Sequence, residues 1–542
     1  MIEILLALLP FALGIFHEWT AGIISVVLLV FIMIRSDKRS FKIPKDPLFI
    51  SSVLIPVFFL VSPLWAVDRG MTVLGFTKFL PVPLFLILLK NTPKPEDPFK
   101  FLPISGASMT VLSFILSLIF PQEGWFLVSG RLAGFFQYPN TFALFLLVCL
   151  SLSLLRSPLS KKDLFCIPFL LTGIIMSGSR TVFILMVLFF IFYIISVKDR
   201  KLKFITLAVT LTIVIGVGLY AFISGDRSSV GRVLTTSLGS STFVGRFLYF
   251  KDVIPQILKH PLGLGYKGYS YLQTSFQTGV YSVDHVHNDL LQILIDIGWI
   301  PSAVLCYSVI KRFIRIDMRR KVTVVIMVLH ILFDFDMQFV SMLIIFFVLL
   351  YDHEGEDVVI KNKISAIVPI TCAVLMGTYF AIPSLLGFFR EDRAAVKVYP
   401  AYTDSYVALI GKAENAEEME KIADRILKYN DSVSIAYSAK ARVSFSEGDV
   451  IKMIEYKEKA IDRNRYGITE YTDYMDMLAV CTNMYIDAGK YDSAKYCIDK
   501  IKEIPVRLEE VRNGTSALAY KIDDKPELDL PDEYRKIIDS LG

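Results

Sequence analysis

Charge is scarce in this chain. Only 20% of its 542 residues are Asp, Glu, Lys or Arg, against 54% hydrophobic and 13% aromatic, and the mean hydropathy is +0.54. That balance excludes an ordinary soluble fold of this size and requires much of the surface to lie in lipid. A net charge of +5 is weak evidence for a nucleic-acid partner, because the basic residues sit in short clusters between apolar runs and not on one face. Cysteine is sparse as well. Cys149, Cys166, Cys306 and Cys372 fall in or beside apolar runs, where a thiol behaves as a small hydrophobe. Only Cys481 and Cys497 could report a redox compartment, and both suit helix packing better than a bridge. The first 16 residues lack the basic start of a cleavable signal peptide, so the segment is expected to stay as a helix.

What is abundant is apolar runs of spanning or near-spanning length. They occur near 3–16, 20–35, 47–65, 72–89, 101–120, 140–155, 164–178, 180–197, 203–223, 290–310, 321–334, 338–351 and 364–389, which predicts an all-α, polytopic transmembrane helical bundle of about 12–13 spans. Lys and Arg crowd every second loop: 35–45, 90–100, 156–162, 198–203 and 311–321. The loops between carry almost none, apart from Arg69, Arg131 and Arg180. By the positive-inside rule the rich loops and the N-terminus are cytoplasmic. The longest inter-span loop, 224–289, and everything after about residue 390 are then extracytoplasmic.

Residues 1–389 read as the membrane domain and 390–542 as a soluble helical-repeat domain on the outer side. In the latter, Ala441, Gly448 and Ala460 match Thr482, Gly489 and Ile501 at the small, turn and small positions of a tetratricopeptide-like unit. A generic helical hairpin domain fits as well, and either form suits docking to protein or glycan.

Candidate chemistry falls on the outer side. His287-Asn288-Asp289 stands where the long loop enters a span; a histidine there can deprotonate a hydroxyl or donate to an anion, or Asn288 simply caps the next helix. Arg246 in the same loop offers a planar fork for phosphate oxygens. His260, Gly263 and Gly265 mark a turn that lets backbone approach a ligand, or a loop folded over the membrane surface. Arg131 and Arg180 occupy outer ends where positive charge is otherwise avoided, as binding groups or as snorkelling side chains. Asp334 and Asp336 are carboxylates in an apolar stretch, either paired with a cation or lying in a tight turn. A zinc site from Asp284, His285, His287 and Asp289 has no familiar spacing, and the nearby arginines suit an anion better.

These pieces, in order, resemble the O-antigen ligase and O-antigen polymerase superfamily of bacterial membrane glycosyltransferases: Gly130-Arg131-Leu132-Ala133-Gly134 with Pro139-Asn140, Ser177-Gly178-Ser179-Arg180, Gly245-Arg246 with His260-Pro261-Leu262-Gly263-Leu264-Gly265, and His287-Asn288 with Gln292 and Gly298. The resemblance covers about residues 20–350. It implies transfer of a glycan from a polyprenyl pyrophosphate to a sugar, lipid or protein acceptor at the outer face of the cytoplasmic membrane, without metal or cofactor. It assigns pyrophosphate binding to Arg180 and Arg246 and acceptor activation to His287. Arg131, Asn140, His260, Gly263, Gly265, His285, Asn288 and Asp336 would line the substrates. Asp289 beside the His-Asn pair and Gly298-Trp299-Ile300-Pro301 depart from the common pattern. Two other classes compete: a transporter or lipid-linked glycan flippase, for which Lys78 inside the fourth apolar run is the main feature, and a non-catalytic scaffold recruiting envelope proteins.

Overall fold

A computed structural model describes residues 1–37, 40–122, 124–198 and 241–541, with 200, 203–204, 207–208 and 211. Helices dominate. Among the described residues five are long and apolar enough to cross a membrane: Glu18–Arg35, Pro47–Leu64, Met71–Lys90, Leu102–Ile119 and Lys363–Phe388. Four shorter apolar helices, Ile2–Phe11, Pro139–Leu154, Arg180–Ser196 and Val340–Leu350, accompany them. The apolar run at 203–223 lies mostly outside the described residues.

Polar and glycine punctuation explains why some apolar runs are not single long helices. The first run turns at Gly14, whose φ of +62° breaks the helix and whose Cα side is filled by Phe136 and Phe339. The run at 290–310 divides at Gly298 into Asp289–Ile297 and Trp299–Phe313. Helix starts are capped locally: Asp46 accepts from the Phe49 amide at 3.0 Å ahead of Pro47, and Ser160 with Asp163 forms a reciprocal capping box. Met71–Lys90 is enclosed by protein along its length, and Gly22 lets Glu18–Arg35 pack closely on Ala381 of Lys363–Phe388.

The bundle has two chemically different ends. At one, the basic loops interlock: Asp97 pairs with Arg156 at 2.6 Å and Arg319 at 3.0 Å, Arg312 with Asp46 at 3.2 Å and Asp352 at 3.0 Å. A short antiparallel ribbon joins Phe41–Pro44 to Asp357–Ile360. Glu3 lines the same recess as Asp97, Lys100 and Arg156. The opposite end carries the outer-loop candidates. There the described portion of the inter-span segment 224–289 forms the helices Ser241–Lys259 and Gly268–Phe276. Val244, Leu248 and Ile257 recur at helical spacing and are buried, a pattern of period 3.6 that favours an amphipathic helix.

After residue 392 the chain forms helical hairpins. Ser434–Ser446 packs antiparallel on Val450–Arg463, and Ile468–Asp487 on Tyr491–Gly514. Gly448 and Gly489, with φ of +78° and +70°, make the turns. Ala441, Ala460 and Ala494 are buried between the helices, and Cys481 and Cys497 are buried free thiols.

This region rests on the end opposite the basic loops. Tyr429 O accepts from the Arg69 amide at 3.0 Å, and Asn430 Nδ2 donates to Asp68 Oδ2 at 3.0 Å. Lys267 and Tyr271 both bind Asp404. Burial pushes the Asp68 carboxyl up to about 6, against the hydrogen bonds from Met71 N and Asn430. A carboxyl raised in the folded state stabilises fully below its ordinary value of 3.8 and loses that contribution as pH rises through about 6. The C-terminal helices should therefore dock more firmly at pH 5 than at pH 7.5, by about 1 kcal/mol. Hydrogen exchange of residues 66–72 and 429–432 at the two pH values checks this, and Asp68→Asn should remove the pH dependence.

Candidate functional site

The site is organised around a carboxylate. Asp334 follows the helix Met318–Ile331 in a tight turn and is 2% exposed. Its Oδ1 accepts from Tyr138 Oη at 2.8 Å and the Phe335 amide at 3.1 Å. Its Oδ2 accepts from Asn140 Nδ2 at 2.8 Å and Arg246 Nη2 at 3.2 Å. His287 Nδ1 lies 3.4 Å from Oδ1, at ion-pair distance. Burial alone would raise this carboxyl; the His287 contact and the Arg246 charge instead hold it well below the usual carboxylate range.

Each partner is delivered by a separate element. Arg246 comes from the helix Ser241–Lys259, where it is 9% exposed, and its Nε is buried with no hydrogen-bond partner among the described residues. His287 stands just before the helix Asp289–Ile297 with a left-handed φ of +57°, a conformation uncommon for a non-glycine residue. Asn288 sustains it. Asn288 Oδ1 accepts from the Leu290 and Leu291 amides at 3.0 Å, and its Nδ2 donates to Leu332 O at 3.0 Å. The helix-cap and functional readings of Asn288 are thus compatible: the cap fixes the residue beside it against the Asp334 turn.

Arg131 extends the network. Its Nη2 donates to Asn140 Oδ1 at 2.6 Å and its Nε to Ser177 O at 2.6 Å. That second bond fastens the Ser177–Ser179 turn, after which Arg180 is the first residue of Arg180–Ser196. His285 rests on the Phe335 ring with centroids 4.9 Å apart, and Phe335 also packs on Tyr138 and His287. Burial and the nearby Lys78 charge hold the His285 imidazole well below its ordinary value, in the neutral form.

Asp336 belongs to an adjoining pair: its Oδ1 accepts from Thr141 Oγ1 at 2.6 Å and its Oδ2 meets His330 Nδ1 at 2.5 Å. Asp289 turns away from the imidazoles and accepts from the Met337 amide at 2.9 Å, an orientation that takes it out of the weighed zinc set. A cavity of about 370 Å³ begins beside Asp289 and runs between apolar side chains including Phe59, Phe79, Leu305 and Phe347.

Three expected site residues are not brought to this cluster. The His260–Gly265 turn is pinned to the end of Asp289–Ile297, with Leu264 N to Ile295 O at 2.6 Å and Gly265 N to Asp296 O at 3.0 Å. A Cβ at Gly263 would meet Asp296 O at 2.5 Å, and one at Gly265 would meet Ala66 and Thr72 at 2.6 Å. The close approach that these glycines permit in this structure is to protein, in keeping with the tight-turn reading, and His260 shares their turn.

A family model described as O-Antigen ligase matches residues 165–306. Over those residues the chain is similar to the O-antigen ligase family. No curated protein and no solved structure matches the chain. The matched segment of this membrane protein holds Arg180, Arg246, His260, His285, His287 and Asn288. Arg131, Tyr138, Asn140, Asp334 and Asp336 lie outside it and join the residues of the matched segment through the fold. Asp334, Tyr138 and His330 are the participants that motif order left out. A carboxylate in an apolar stretch signals a buried partner, but neither the partner nor the tyrosine can be read from spacing.

Replacing Asp334 by Ala would strand Arg246, Tyr138 and Asn140 together. Removing one member of a buried ion pair costs about 3–5 kcal/mol, so Asp334→Ala should lower the thermal midpoint of the detergent-solubilised protein well below that of wild type. Asp334→Asn, which keeps the shape and one acceptor oxygen but loses the charge and the second acceptor, should fall between them.

Proposed function

We propose that this protein transfers or polymerises a polyprenyl-pyrophosphate-linked glycan onto an acceptor hydroxyl at the outer face of the cytoplasmic membrane. The observation that carries the reading is the convergence of Arg246 and His287, both from the O-antigen ligase segment, on Asp334. Asp334 on the Nδ1 side leaves His287 Nε2 to take the proton of an acceptor hydroxyl. The acceptor oxygen then bonds to the anomeric carbon as the bond from that carbon to the pyrophosphate oxygen breaks. Arg246, with its unused Nε, and Arg180 stabilise the departing pyrophosphate, so its charge is met by fixed cations instead of a metal or cofactor.

Arg131 and Asn140 hold the two sides of this arrangement together, and Asp336 with His330 supports the turn beneath it. The apolar cavity beside Asp289 has the character a polyprenyl chain requires. The basic end of the bundle, with the N-terminus, faces the cytoplasm, and the C-terminal helices stand outside. There they are available to a glycan, lipid or protein acceptor and to envelope proteins, while nucleic acid has no place in the scheme.

The test is surface-glycan analysis of cells carrying His287→Ala, Arg246→Ala or Arg180→Ala at wild-type protein levels. Loss of the positioned base costs about a hundredfold or more in rate, so long glycans should disappear and lipid-linked precursor should accumulate; unchanged glycans in all three strains would remove the proposal. Product length then separates a polymerase, whose loss leaves single units attached, from a ligase, whose loss leaves none.

A further inference from the structure

The helix that carries Arg246 is gripped by the far end of the chain. Val244 and Leu248, one turn apart, share a small apolar cluster with Tyr281, Ala519 and Ile522. Arg246 projects roughly 200° around the helix from Val244, and reaches Asp334 from that other side. Polar bonds fasten both ends of the grip. Asp523 N donates to Ser241 Oγ at 2.7 Å, Lys251 Nζ to Ser516 Oγ at 3.0 Å, and Ser516 N to Thr278 O at 2.9 Å.

The fit is close. A Cβ on Gly279 would stand 2.7 Å from Ala519 Cβ and 2.9 Å from a Leu248 methyl. Asp252, on the same helix, is closed by Thr278 N at 2.8 Å, Thr278 Oγ1 at 2.7 Å and Tyr281 Oη at 2.9 Å. Tyr281 in turn packs on Tyr249, whose ring faces His287. The segment 516–523 therefore touches the scaffolding of both Arg246 and His287.

We propose that residues 516–523 form a positioning clamp that sets the depth and angle of the Arg246 helix. The C-terminal helical region is then part of the transfer machinery as well as a docking module. Ala519 and Ile522 are positioning residues: they act through Val244 and Leu248. The catalytic consequence rests on the glycan-transfer reading; the clamp itself does not.

The experiment uses the full-length protein in lipid nanodiscs and two readouts, hydrogen exchange of amides 243–250 and turnover of a lipid-linked glycan. Ala519→Asp places a carboxylate in the apolar cluster. Exchange at 243–250 should rise about tenfold or more with 289–297 unchanged. The kcat should fall roughly ten- to a hundredfold, as for a small misplacement of a binding group, at nearly constant KM for the acceptor. Val480→Asp, at a position 46% exposed on the same C-terminal region, should behave as wild type. Unchanged exchange, or unchanged kcat with raised exchange, overturns the clamp. If Ala519→Asp does not fold, Ile522→Ala combined with Ser516→Ala is read by the same two criteria. A wild-type protein that turns over no lipid-linked glycan refutes the transferase reading, and exchange alone then decides the clamp.

Discussion

The arrangement at the end of the bundle opposite the basic loops depends on keeping one carboxylate charged while it is buried. Moving a carboxylate out of water costs several kcal/mol unless opposite charge and hydrogen bonds replace the lost hydration. Asp334 obtains the replacement from Tyr138, Asn140, Arg246, the Phe335 amide and His287, which come from segments as far as 196 residues away in sequence. Satisfying this group therefore requires the helix after Pro139, the helix Ser241–Lys259 and the turn before Asp289 to meet at one point. The geometry useful for chemistry, a histidine oriented by a carboxylate beside an arginine with a spare donor, is a by-product of that requirement.

The same requirement explains why so much of the outer surface is tied together. His287 is held in a left-handed conformation by a neighbour that caps a helix and bonds to Leu332 O. Arg131 bridges Asn140 to the turn before Arg180. The C-terminal helices then bond to segments at residues 68–70, 267–274 and 241–279. Electrostatics separates this end from the other, where Asp97 and Arg312 lace the basic loops together.

The apolar runs and the alternation of basic loops were legible in the sequence, because hydrophobic length and charge position act locally. The ends of the runs were less so. Gly14 and Gly298 break apolar stretches whose composition alone argues for continuous helices, and the helix carrying Arg246 was hidden in what looked like a long loop. The motif residues Arg246, His287, Arg131 and Asn140 were identified in sequence, and the fold brings them into one network. The glycines at 263 and 265 were also identified, but their open backbone serves packing against Asp296 and Thr72, a use that glycine content cannot distinguish from ligand approach.

By itself the sequence determined an all-helical membrane protein with basic clusters in every second loop and polar motifs in the loops between, since burial of apolar side chains and the cost of moving charge through lipid depend on composition and order alone. Only the tertiary structure decided that Asp334 is the hub, that Tyr138 and the Phe335 amide complete its shell, and that residues 516–523 reach the Arg246 helix. These are contacts between distant segments. They follow from which side chains can satisfy a buried charge once the helices are packed, and no local pattern in the chain encodes that choice.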